Sequence, residues 1–69
     1  DYIEIISDQT LIGKSSVKIY NVLGEIVRIY EYSDFGNSQK INLEDLATGS
    51  YILEVENKKT ISQNRFTIQ

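Results

Sequence analysis

Side-chain character in this chain alternates with a period of two, in short runs, from one end to the other. That alternation is the strongest constraint on what the chain can fold into, because strands place successive side chains on opposite faces. Tyr2-Ile3-Glu4-Ile5-Ile6 sets Ile3 and Ile5 against Glu4. Ser16-Val17-Lys18-Ile19-Tyr20 repeats the pattern, with Val17 and Ile19 inward. Ile26 to Tyr32 is β-branched and aromatic, and Arg28 reads as its wet face. Lys40-Ile41-Asn42-Leu43 is a short fourth run. Tyr51 to Glu56 is the clearest, with Tyr51, Leu53 and Val55 inward and Glu54 and Glu56 toward water. A sixth run spans Thr60 to Ile68. The nearest thing to a helix is one turn at Leu43-Glu44-Asp45-Leu46-Ala47.

Turn chemistry separates the runs. Leu23-Gly24-Glu25 joins the second and third closely enough for a hairpin. Gly13, the polar loop Asp34 to Ser38, Thr48-Gly49-Ser50 and Asn57-Lys58-Lys59 supply the other breaks. Six strands at about 8–12-residue spacing predict a small antiparallel β-sandwich of six to seven strands. Its expected core is Ile3, Ile5, Val17, Ile19, Val27, Ile29, Ile41, Leu43, Leu46, Tyr51, Leu53, Val55, Phe66 and Ile68. The last run is out of phase, since Ile61 and Phe66 would face opposite ways on a regular strand. A bulge at Gln63-Asn64 would return Ile61 to the core; division into two short strands is the alternative. Gly49 is expected at positive φ, where the chain reverses before Tyr51 points inward.

With 69 residues the chain is one domain, and stability of about 0.05–0.15 kcal/mol per residue leaves it marginal. No Cys and no His occur, so disulfide scaffolds, zinc fingers and imidazole- or thiolate-based catalysis are excluded. Net charge is −3, and the seven basic residues form no cluster of the kind nucleic acid requires. No apolar run is long enough for a direct membrane span. Glu54 and Glu56 point the same way from one strand, which suits a solvated face and not a pair of catalytic carboxyls. Glu44-Asp45 reads as turn capping, since it lacks calcium-loop spacing. The four glycines form no phosphate-cradling motif. No enzyme activity, metal or cofactor is expected. Five tyrosines are many for this length, and Tyr20, Tyr30 and Tyr32 together suggest either an outer aromatic platform or cross-strand packing. The chain opens at Asp1 and enters a strand at once, which reads as a processed product or the end of something longer.

Three stretches are more specific than the pattern alone. Val17-Lys18-Ile19-Tyr20-Asn21-Val22-Leu23-Gly24-Glu25-Ile26-Val27 resembles the hairpin of the type IX (Por) secretion system C-terminal sorting domain, type A, of Bacteroidota. Ile41 to Val55, with Leu46, Gly49 and Tyr51, resembles the core motif of the same family. Arg65-Phe66-Thr67-Ile68-Gln69 resembles its last strand, with Gln69 standing where the family carries a basic residue. Asp1-Tyr2-Ile3-Glu4-Ile5 corresponds to its opening strand. The resemblance implies an immunoglobulin-like sandwich over residues 1–69, at the C-terminus of a larger secreted protein. It implies passage through the periplasm and export across the outer membrane, followed by removal by a sortase-like protease and attachment at the cell surface. The implied partners are the type IX machinery, an outer-membrane barrel shuttle protein and that protease. The sorting-motif residues it marks are Asp1, Tyr20, Asn21, Gly24, Leu46, Gly49, Tyr51, Arg65, Phe66 and Ile68. The rival reading is an immunoglobulin- or fibronectin-like adhesion or carbohydrate-binding module that uses the Tyr20/Tyr30/Tyr32 face.

Overall fold

A computed structural model of the chain describes residues 2–58 and 60–69, with only the backbone for residues 8–10. Asp1 and Lys59 lie outside it. Six strands run in order: β1 (Tyr2–Leu11), β2 (Ser15–Tyr20), β3 (Ile26–Tyr32), β4 (Gly36–Asn42), β5 (Gly49–Asn57) and β6 (Ile61–Ile68). β1 pairs with β4 in one antiparallel sheet; the other has the order β3-β2-β5-β6. The expected all-β sandwich is therefore correct. The period-two pattern accounts for it, since strands with one apolar side must bury that side and two sheets are the simplest way to bury it.

The core lies between the sheets. Val17 and Ile19 are fully buried, and Ile41, Leu43, Tyr51, Leu53, Val55 and Ile68 are buried around them. Ile3, Ile5, Val27, Leu46 and Phe66 pack against this cluster half-buried. Thirteen of the expected core residues thus lie in or against it, and the exception is Ile29, which is 55% exposed.

Ile29 fails because of a bulge in β3. Ile19 stands opposite Arg28, yet Tyr20 stands opposite Ile26, so Val27 is an extra residue in the ladder. One inserted residue reverses the faces beyond it. Arg28 sits on the core side opposite Ile19, not on the wet face, and its Nη1 folds back to donate to the Val27 carbonyl at 2.7 Å. Tyr30 and Tyr32 also turn inward and pack against the core, which dismantles the outer aromatic platform.

The bulge expected at Gln63-Asn64 is absent. β5 and β6 keep one register from Gly49↔Ile68 to Glu56↔Ile61. Ile61 therefore shares the outer face with Glu56 and is 61% exposed. Phe35 is the core residue the pattern missed. It sits in the polar loop before β4, only 2% exposed, edge-on to Tyr32 with ring centroids 5.3 Å apart. β4 begins at Gly36, earlier than the run at Lys40 indicates, and Phe35 is the plug at its entrance.

Candidate recognition surface

β2 ends, β5 begins and β6 ends at the same end of the four-stranded sheet, as the pairs Tyr20↔Ile52 and Gly49↔Ile68 require. This end gathers the described residues of the expected sorting motif; Asp1 lies outside the described residues. Three locally built devices organise it.

The first is the β2–β3 turn. Asn21 donates its backbone N–H to the Glu25 carbonyl at 2.9 Å, and its own carbonyl accepts from Gly24 at 3.0 Å. Its side-chain Oδ1 accepts from the Leu23 and Glu25 amides, while Nδ2 donates to the Glu25 carboxylate at 2.9 Å. An Asx side chain is suited to this because it mimics a backbone turn. Gly24 closes the loop at φ 82°, a conformation that L side chains rarely adopt. The result is a turn fixed by hydrogen bonds, with Val22 and Leu23 exposed at its tip.

The second is the entry to β5. Leu46 donates to the Leu43 carbonyl at 3.0 Å, and Asn42 Oδ1 accepts from Glu44 at 2.8 Å. Asn42, and not Glu44 or Asp45, supplies the side chain that caps this turn. Gly49 then takes φ 148°, positive as expected, and its Cβ position meets nothing within 4 Å. The requirement for glycine there comes from the backbone, not from crowding. Tyr51 follows with its ring buried and its hydroxyl donating to the Ala47 carbonyl at 2.6 Å. A tyrosine at the start of a strand that bonds back a few residues upstream is a recurrent corner of immunoglobulin-like sandwiches.

The third is β6. Phe66 stacks on Tyr51 at 5.6 Å with 23° between the rings, and Ile68 is buried beyond it. On the opposite face Arg65 is exposed. Together with Asn21, Val22, Ser50, Tyr51 and Ile52 it lines a shallow cleft of about 310 Å³.

The outer face just beyond this cleft is ordered by one carboxylate. Glu54 is not in water as its alternation suggests; it is 8% exposed in the middle of the sheet. Tyr20 donates its hydroxyl to Oε2 at 3.2 Å, and Gln63 donates from Nε2 to Oε1 at 2.7 Å. Burial, and then the neighbouring Glu54 charge, push the Tyr20 phenol above its ordinary value. Glu54 thus ties β2, β5 and β6 together, and both its oxygens are engaged. Among the described residues no group of three His, Cys, Asp or Glu side chains is placed to hold a metal.

Fold and surface define a small immunoglobulin-like module whose specific features are turns, edges and an ordered outer face. The chain belongs to the family of secretion system C-terminal sorting domains, whose profile matches residues 1–69. It is a sorting signal for type IX secretion, and the family places it in Bacteroidota. A search of curated proteins finds no match. The adhesion-module reading has no support, since two of the three tyrosines it needs are turned into the core.

Proposed function

We propose that residues 1–69 form the final domain of a larger exported protein and act as its address while the cargo crosses the periplasm. On this reading the domain is read in its folded state by an outer-membrane barrel shuttle, and a sortase-like protease then separates it from cargo destined for the surface. The reading surface is the motif end built from Tyr20, Asn21, Gly24, Leu46, Gly49, Tyr51, Arg65, Phe66 and Ile68. Asp1, which lies outside the described residues, belongs to the same proposal as a residue of the sorting motif. The observation that carries it is the convergence of those described residues on one end, around a turn that displays Val22 and Leu23 without burying them. A folded module without His or Cys carries its information in shape and backbone edges.

The test is a Sec-exported reporter fused ahead of residues 1–69 and expressed in a type IX-competent host. The reporter should reach the medium or cell surface, and it should stay in the periplasm in an isogenic host lacking the machinery. Retention of the intact fusion in the competent host would overturn the proposal.

A further inference from the structure

The outer strands of the two sheets are β1 and β4 in one, and β3 and β6 in the other. A free strand edge is a template for another strand unless something disrupts it. Three of the four are disrupted. β1 and β4 lose register between Ile6 and Leu11, and β3 carries the bulge at Val27 with Arg28 turned inward. β6 alone is regular over its whole length, eight residues in unbroken register with β5 and no Pro.

That edge has a defined chemistry. Its sequence holds one cation and no anion, in a chain of net charge −3. Arg65 stands on the outer face beside Ile52, and no carboxylate among the described residues pairs with it. The nearest acidic position in the ladder, Glu54 opposite Gln63, has both oxygens occupied by Tyr20 and Gln63. On the inner face next to Arg65, Phe66 is only half-buried. A strand laid along β6 therefore meets a positive charge on one face and an aromatic ring on the other.

We infer that β6 is a docking edge for an extended segment of a partner protein, one with an acidic side chain opposite Arg65 flanked by apolar residues that cover Phe66. Main-chain hydrogen bonds to β6 supply adhesion, and the charge pair with its alternating neighbours supplies register. The inference rests on the sorting reading for its biological setting, but the recognition itself is a property of this strand.

The probe is a pair of blocked pentapeptides of alternating threonine and valine, one with glutamate and one with lysine at the centre. Each is titrated into the ¹⁵N-labelled domain. Amide shifts should run along β6, and the glutamate peptide should bind about fivefold tighter than the lysine peptide. Arg65→Glu should reverse that preference, and Arg65→Lys should keep it; Arg65 is exposed, so both variants fold. Shifts confined to β3 or β1, no shift at millimolar peptide, or a preference indifferent to Arg65→Glu would each overturn the inference. In the secretion assay, normal export of the Arg65→Glu fusion overturns the inference and leaves the sorting reading intact. Failure of the unaltered fusion defeats the sorting reading, while the peptide data still decide the edge.

Discussion

The two ends of the sandwich are held by different kinds of bond. At the motif end, Asn21 serves residues two to four away, and Tyr51 reaches Ala47 four residues back. At the opposite end, Asn57 Nδ2 donates to the carbonyls of Ile12 and Lys14 and to Ser15 Oγ at 2.9 Å, all more than forty residues away in sequence. There Phe35 fills the core under Tyr32. Local bonds make one end a set of pre-shaped turns; distant bonds make the other a lock that closes only when the whole chain is in place. The turns that present recognition features are the parts that depend least on the rest of the molecule.

The sharpest way to break this contrast is at the lock. Phe35→Ala should cost about 3–5 kcal/mol, the range for emptying a buried aromatic site, which is comparable to the whole stability of a domain this small. Equilibrium urea unfolding that shows a loss under 1 kcal/mol would mean that the distal end does not hold the core.

A smaller effect is expected at the other end. Gly49→Ala should cost about 1–3 kcal/mol, because the residue must hold a positive φ even though its Cβ has open space. The hydrogen-bonded turn at Asn21 should keep its amide shifts in this variant. If Gly49→Ala is neutral by thermal unfolding, the backbone argument fails.

The smallest effect compares the ends directly through pH. Burial, and then the Glu54 charge, raise Tyr20; burial, and then Tyr30, raise Tyr32. A phenol whose folded value is raised keeps its proton in the folded state after the unfolded chain has lost it. Stability is therefore intact below the ordinary tyrosine value of about 10 and falls as pH rises from there through the raised values. Urea midpoints measured from pH 8 to pH 11, ranges set by those ordinary values, should fall on the alkaline side. Tyr20→Phe and Tyr32→Phe should each flatten that slope. An unchanged slope in both would show that neither phenol is linked to folding.

The same contrast explains what was legible in the sequence. Strand identity followed from alternation, and the Gly49–Tyr51 corner from residues adjacent in sequence. The bulge at Val27 left no local mark, because an extra residue shows only against the strand it pairs with, and it took Ile29, Tyr30, Tyr32 and Arg28 with it. The supposed bulge in β6 erred the other way: Ile61 looked as though it should be buried, yet the unbroken ladder with β5 carries it to the outer face. Phe35 was hidden by polar neighbours, although one aromatic in a polar loop was a signal that could have been followed. Glu54 kept the face assigned by alternation, but its burial depends on Tyr20 and Gln63 closing over it from neighbouring strands. At the recognition surface, the hairpin, the corner and the last strand as an edge were all visible; the unbroken register of that edge was not, because register exists only against the strand it pairs with.

The strand order also imposes a timing. Tyr2 waits for Asn42, and Ser15 for Asn57, so neither the small sheet nor the centre of the large one can form until β4 and β5 exist. Closing such long loops is slow compared with forming hairpins. In a chain that emerges amino end first, as from a ribosome, the two-sheet core cannot close until β5 has emerged. A sorting signal built this way becomes readable only after most of its own length is in place.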